Sequence, residues 1–403
     1  MAMHMIRSFF VLIALFGAVA TQAQTPVPVT ILISIDGFRP DYLDRGITPR
    51  LSALRETGIF ASMRPSFPTK TFPNHYTIVT GLRPDHHGIT GNSMIDPARP
   101  GQMFSLGNPA QSLDPFWWDQ AEPIWVTAEN AGIRTGTMFW PGSEVAIRGV
   151  RPQDWQRFDQ NVSNIQRVNA VLDWQRRPET IRPRFVTLYF DTVDMAGHIH
   201  GISASETDAA IAEVDTRIGE LVDGLAAMDR LANIVIISDH GMRTIDAARV
   251  IQLDELIDPS FYTLVESGPY AAIEPAAGTD DHVFETFIQP HDNMTCTRRE
   301  EVPAHLEFGA NPRATAILCR ADAGWVIISG EPRYPIAGAT HGWDNFDPEM
   351  RATFLANGPA FVREAGPGIV DNVDVYTLLS RLIGIEPLPN DGDPAVADAL
   401  LND

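Results

Sequence analysis

Apolar residues in this chain come in short unbroken runs that stop abruptly at an acid. Val29–Ile35 (VTILISI), Phe185–Phe190 (FVTLYF) and Asn233–Ser238 (NIVIIS) are rich in Val, Ile and Leu, and Asp36, Asp191 and Asp239 follow them at once. Runs of this length without alternation read as strands buried on both faces, as in a parallel sheet. Between them the apolar period becomes helical. Thr48-Pro49 opens a helix that Gly58 closes. Ser205–Met228 places Ile211, Val214, Ile218, Leu221 and Leu225 on one face, with Ser205 as the candidate N-cap, and Asn372–Ile385 reads as a further helix. Strands alternating with helices predict a doubly wound α/β fold, a mostly parallel sheet with helices on both faces. Working side chains in such sheets gather beyond the carboxyl ends of the strands, so the three acids are expected on one edge.

Other stretches break this rhythm. Thr244–Pro335 has short apolar runs interrupted by Gly and Pro, and 244–335 is expected to be a smaller subdomain inserted into a single catalytic domain spanning 24–403. Ser93–Pro123 carries Phe116, Trp117 and Trp118 and is expected to be a long functional loop. Near the start, Ser8–Ala20 is apolar but only about 13 residues long, where spanning a bilayer takes about 20. Thr21-Gln22-Ala23 then supplies small residues at cleavage-site spacing, so 1–23 is predicted to be a cleavable signal peptide. That implies a periplasmic or secreted protein without a stable membrane anchor, in a compartment where Cys296 and Cys319 can pair.

Charge narrows the function. Lys and Arg number 30 against 51 Asp and Glu, a net charge of −21, while 44% of residues are hydrophobic. The apolar fraction excludes a disordered acidic chain. The excess of acid argues against a protein that grips a nucleic-acid duplex. A small anionic substrate stays open, because bound metal can invert the local field. Lys70 is the only lysine; the other 29 basic residues are arginine.

The candidate chemistry lies at the strand ends. Asp239-His240 follows one strand, Asp36 another; Asp194 and His198, four apart, share a face if helical; His341 begins a turn. Three carboxylates and three imidazoles without a thiolate suit Zn²⁺ best, with Mn²⁺ or Fe²⁺ also compatible, and six ligands suit two ions sharing a cleft. Any one of these pairs alone would be an ordinary surface pair or turn; it is their joint placement that points to metal. His75, His86, His87 and His200 close no strand and are assigned to packing or loop hydrogen bonds. Thr71 stands at the start of a helix with Pro73 in its first turn and Gly81 at its end. Free N–H groups there favour a phosphate, and a hydroxyl near a metal becomes a nucleophile. Away from a metal the same threonine would be an ordinary N-cap.

The ordered set Asp36, Pro68–Tyr76 (PTKTFPNHY), Gly91-Asn92, Asp194…Gly197-His198, Asp239-His240-Gly241 and His341-Gly342 resembles the nucleotide pyrophosphatase/phosphodiesterase family of the alkaline phosphatase superfamily, across about Ile31 to Leu388. Glu122–Thr127 and Phe139–Gly142 are also similar to family segments. The resemblance implies an alkaline phosphatase-like fold and two Zn²⁺ ions. One would be held by Asp194, His198 and His341, the other by Asp36, Asp239 and His240 with Thr71 as further ligand and nucleophile. It implies that Asn92 and the Thr71 or Phe72 N–H hold a phosphoryl oxygen, and that Phe72 and Tyr189 stack a nucleobase. A phosphothreonine intermediate would then release a nucleoside 5′-monophosphate. Lys70, beside the proposed nucleophile, is expected to help hold substrate phosphate or a neighbouring carboxylate. The cysteine-rich modules and nuclease-like domain of animal members are not found in these 403 residues, which are expected to be the catalytic domain alone. No Cys-x-Pro-x-Arg is present, which argues against a sulfatase. Two other readings keep part of this picture: a lysophospholipid-type phosphodiesterase with the same centre, and a periplasmic metal- or phosphate-binding protein without catalysis.

Overall fold

The computed structural model describes residues 27–332, 335–362 and 368–402; the predicted signal peptide lies outside them. Eight strands form the main sheet: β1 Val29–Ile35, β2 Ile59–Arg64, β3 Thr135–Met138, β4 Asp154–Trp155, β5 Phe185–Phe190, β6 Ala232–Ile237, β7 Ala352–Asn357 and β8 Ile369–Asp371. Their spatial order is β8-β2-β7-β6-β1-β5-β3-β4, and within this sheet only β7 runs against its neighbours. The two strands read as Val29–Ile35 and Phe185–Phe190 have those limits, and the third begins and ends one residue earlier than expected.

The continuous apolar runs arise because both faces of the sheet are covered. Ile31, Ile33 and Ile35 point into one core, with Val186, Leu188 and Ile236; Leu32 points into the other, with Val235 and Ile237. On the first face lie helices α1 Pro49–Thr57, α4 Asn164–Arg176 and α6 Ser205–Ala226; on the second lie α2 Thr71–Thr80, α3 Ile124–Asn130 and α7 Asp374–Ile383. A further helix, α5 Thr192–His200, follows β5 directly. Two helix limits differ from expectation. Ala204, not Ser205, is the N-cap of α6, and α7 is shorter at both ends.

Parallel register sets the site. Ile35 of β1 pairs with Phe190 of β5, and Ser34 pairs with Ile237 of β6, so Asp36, Asp191 and Asp239 leave the sheet side by side. Gly37 turns the chain there with a φ of 64°, and a Cβ on it would come within 3.0 Å of Asp194. An L side chain would be strained and crowded at that point.

Within 244–335, Tyr262–Glu266, Tyr270–Pro275, Ile317–Ala321 and Met294–Arg298 form an antiparallel sheet in that order, with its own apolar core around Ile273, Val283, Phe287 and Ile317. Cys296 and Cys319, opposite one another on neighbouring strands, form a disulfide. The segment Ser93–Pro123 is more structured than a loop. Ser93–Ile95 pairs with Met103–Ser105, helical turns follow at Pro109–Ser112 and Pro115–Trp117, and Trp117 and Trp118 are buried. Tryptophans read as loop aromatics are therefore core, docked against Phe104 and Tyr76.

Arg313, buried just before the strand Ile317–Ala321, ties the segment Ser93–Pro123 down. Its guanidinium donates to Asp96 at 2.6 Å and to the carbonyls of Gly88, Trp117 and Phe116 at 3.0, 2.7 and 3.0 Å. Arg313→Ala leaves three carbonyls without the guanidinium donor and a buried carboxylate without its countercharge, held only by the Ala98 N–H. Chemical denaturation is expected to show a loss of about 3–5 kcal/mol, only partly restored by lysine, which lacks the planar fork.

Candidate metal centre and active site

Asp36 follows β1, and Asp239 and His240 follow β6. Asp194 and His198 share one face of α5, as their spacing predicted. His341 returns from the far end of the inserted segment. The fold brings all six together. His240 Nε2 lies 3.0 Å from Asp239 and 3.4 Å from Asp36; His198 Nε2 lies 3.3 Å from Asp194; His341 Nε2 lies 3.8 Å from Asp194. The His240 and His341 rings stack with centroids 3.4 Å apart. Two overlapping groups have ligand atoms mutually within 4.8 Å: Asp36, Asp239 and His240, and Asp194, His240 and His341.

The hydrogen bonds behind these rings decide what the cluster can hold. Each Nδ1 lies against a backbone carbonyl: His198 against Ala339 at 2.9 Å, His240 against Gly241 at 2.9 Å, His341 against Thr69 at 2.7 Å. A carbonyl only accepts, so each Nδ1 carries the proton and each Nε2 presents a lone pair. Those lone pairs face carboxylates. One oxygen each of Asp36, Asp194 and Asp239 is buried with no hydrogen-bond partner. Acceptors facing acceptors in a buried space make sense only around a cation, and the residues fit metal ions on that ground. Burial, and then the charges of Asp239 and Asp194, push the Asp36 carboxyl well above its usual range. Burial acts the same way on Asp239, but His240 and His75 outweigh it and bring that carboxyl to about 2. Burial and the neighbouring His240 hold His341 well below its usual value; burial opposes protonation of His198 too, but Asp194 beside it raises its value.

Thr71 is the first residue of α2, and Lys70 is the N-cap residue, with no side-chain cap. The threonine hydroxyl is thus not spent on capping. It lies 3.4 Å from His240 Nε2, at the carboxylate–imidazole cluster. Asn92 Oδ1 accepts from the Phe72 N–H at 2.9 Å, so that N–H, expected to be free for a phosphoryl oxygen, is already engaged. Lys70 is buried, and its ammonium sits 5.8 Å over the Tyr270 ring. Beside Thr71 opens a cavity of 370 Å³ lined by Phe72, Asn92, Trp118, Trp140, Phe158 and Tyr189, among others.

Some residues take other places than their sequence position implied. Tyr189 reaches the cavity wall but is 7% exposed, and its hydroxyl donates to Asp36 at 2.5 Å. Its ring packs edge-to-face with His75. Phe158, which sequence reading missed, lines the same cavity with 40% of its surface open. Its only sequence signal is an aromatic in a polar loop. Asp191 pairs with buried Arg167 at 2.7 Å instead of joining the acids. His75 bridges Ser34 and the Thr71 carbonyl, His87 is buried against Thr77, His86 pairs with Asp391, and exposed His200 lies in a separate groove.

This geometry is shared. A family model for type I phosphodiesterase/nucleotide pyrophosphatase matches residues 30–344. Human ectonucleotide pyrophosphatase/phosphodiesterase family member 5 is 35% identical over 396 residues, covering 98% of this chain and 82% of that protein. An uncharacterized pyrophosphatase/phosphodiesterase of Schizosaccharomyces pombe is 36% identical, covering 90% and 78%. Mouse family member 1 is 35% identical, but the chain spans only 43% of its length. Among solved structures, human family member 5 superposes with a TM-score of 0.88 over 93% of this chain and 100% of that one, at 35% identity. The murine member, inactive and in complex with AMP, gives 0.87 at 34% identity, over 93% of this chain and all of that one. The chain belongs to the type I phosphodiesterase/nucleotide pyrophosphatase family, a class of metal-dependent hydrolases with the alkaline phosphatase-like fold.

Protons and metal compete for the same Nε2 lone pairs, and His198, held above its usual range, takes up a proton early as pH falls. Metal-stripped protein is expected to melt lower than protein reloaded with zinc. Measured by thermal melting, the gain on reloading shrinks from about pH 8 to about pH 5.5.

Proposed function

We propose that this chain is a two-zinc nucleotide phosphodiesterase and pyrophosphatase that works through a phosphothreonine intermediate, with 24–403 as one catalytic domain and 244–335 as its smaller inserted unit. The observation that carries the reading is the uncapped Thr71 hydroxyl, poised 3.4 Å from His240 at the edge of the carboxylate–imidazole cluster. Asp194, His198 and His341 would hold one ion; Asp36, Asp239 and His240 would hold the other, with Thr71 completing that set. When bound, the two cations lower the pKa of the attacking hydroxyl and offset charge on both apical oxygens. Thr71 Oγ1 attacks phosphorus in line and expels the leaving group; water then cleaves the phosphothreonine and frees a nucleoside 5′-monophosphate. The Asn92 side-chain amide and the Thr71 N–H, the first-turn amide of α2 not already engaged, receive the non-bridging oxygens, as a helix N-terminus favours. Phe72 and Phe158 offer aromatic faces to the nucleobase. Tyr189 keeps Asp36 in place, and Lys70 adds a buried positive charge beside the phosphate.

Export through the N-terminal segment completes the reading. Among the described residues no helix is long and apolar enough to cross a membrane. A second reading, a lysophospholipid-type phosphodiesterase, draws on the apolar cavity mouth, where Leu106 and Met195 are 46% and 40% exposed.

Hydrolysis of a substrate panel with product identification tests these readings. Nucleoside triphosphates are expected to yield nucleoside monophosphate and pyrophosphate; nucleoside diphosphate with free phosphate would contradict the reading. Faster turnover of lysophosphatidylcholine than of any nucleotide would favour the lipid substrate. Thr71→Ala is expected to lower kcat by roughly 10³-fold or more while leaving the melting temperature near that of the parent. Phe158→Ala is expected to lower kcat/KM on nucleotide diesters by about tenfold, the scale of one lost base stack.

A further inference from the structure

The inserted segment meets the turn that carries Asn92 through Glu266. This residue ends the strand Tyr262–Glu266, which packs against the short strand Ser93–Ile95 immediately after Asn92. Glu266 Oε2 accepts from the Ser93 N–H at 2.9 Å, and the backbone amides of Asn92 and Ser267 also bear on the carboxylate. The turn is pressed onto this group: a Cβ on Gly91 would come within 3.3 Å of Glu266 Oε2 and 3.4 Å of the Tyr270 hydroxyl. The Lys70 ammonium lies near enough for its charge to favour the ionised carboxylate. Nothing else in the proposed reaction uses Glu266, yet it holds the backbone from which Asn92 projects.

Asn92 has a demanding orientation. Its Oδ1 accepts from the Phe72 N–H, one residue beyond Thr71, which leaves the amide nitrogen as the donor for a phosphoryl oxygen. Donors of this kind act only if they are fixed before charge develops on the oxygen. A side chain on a turn is fixed only as well as the turn's backbone, and the Ser93 amide that follows Asn92 is tied to the Glu266 carboxylate.

We propose that Glu266 is a positioning residue of the active site: its carboxylate anchors the Asn92–Ser93 backbone so that the Asn92 amide is preorganised for the phosphoryl oxygen, which makes the inserted segment part of the catalytic apparatus. This rests on the two-metal threonine reading above. It acts through Asn92, so its loss is invisible once Asn92 is gone.

The test is a double-mutant cycle on the full chain reconstituted with zinc, using the 4-nitrophenyl ester of thymidine 5′-monophosphate. Glu266→Ala is expected to lower kcat about tenfold with KM changed less than about twofold, the scale of one lost hydrogen bond expressed in the transition state. Glu266→Gln keeps an oxygen for the Ser93 N–H and is expected to recover most of that loss. In an Asn92→Ala background, Glu266→Ala is expected to cost less than about twofold. Zinc content and melting temperature are read on every variant, because a folding defect would lower both backgrounds alike. Equal losses in both backgrounds, equal losses for Ala and Gln, or no loss at all overturn the proposal. An unmodified chain that does not cleave the ester overturns instead the functional reading beneath it.

Discussion

Three carboxylates, each with a buried oxygen that has no hydrogen-bond partner, packed against three imidazole lone pairs are the constraint on which the rest of the structure depends. No arrangement of protein groups alone satisfies that cluster, because each imidazole proton is committed to a backbone carbonyl on the far side of its ring. The scaffold must therefore hold like-charged groups together against their repulsion. Parallel strands do this economically. β5, β1 and β6 end in the same row, so Asp36 and Asp239 leave adjacent strands and α5 delivers Asp194 from the third. The two thick apolar cores make those strand ends rigid enough to resist the splaying that the charges favour.

The same constraint explains how an acidic chain can act on an anion. With a net charge of −21, its long-range field does not draw a nucleotide in. Attraction has to be local, from bound cations, the start of α2 and the one lysine. Lys70 is buried between the inserted segment and the cluster, where an ammonium is costly unless carboxylates face it, and Glu266 and Asp194 do so. Burial lowers its affinity for a proton while those two acids raise it.

What was legible in the sequence is what the sheet dictates locally. Unbroken Val/Ile/Leu runs ending in acid marked the strands and their functional edge, and Asp194 and His198 were paired by helical spacing alone. Contacts made by distant segments were not legible. Nothing in the run FVTLYF tells that Tyr189 sends its hydroxyl to Asp36, across from the next strand. Asp191 follows its strand as Asp36 and Asp239 do, and only the arrival of Arg167 from α4 turns it away. The aromatics of 93–123 read as a loop because their partners, Tyr76 and the guanidinium of Arg313, lie far off in the chain. Ser205 had the right chemistry for a cap, but the helix begins one residue earlier.

The order of ligands along the chain gives the inserted segment a second meaning. Five of the six cluster residues lie between 36 and 240, and the sixth, His341, follows about a hundred residues later. Closing so long a loop on a single side chain is entropically unfavourable, though the cost grows only slowly with length. The segment lessens that cost by folding on itself, with its own sheet and disulfide, and His341 directly follows the short strand Ala339–Thr340, paired with Arg243–Thr244. His341 then stacks on His240, and its Nδ1 binds the Thr69 carbonyl two residues before Thr71. On the proposed reading, metal capture by His341 and placement of the Thr71 hydroxyl would draw on the same backbone, and a cation that pulls His341 into register would also fix the turn on which Thr71 stands. Folding of the insertion, completion of the proposed ligand set and alignment of the hydroxyl would in that sense be one event, because none of the three is complete without the other two.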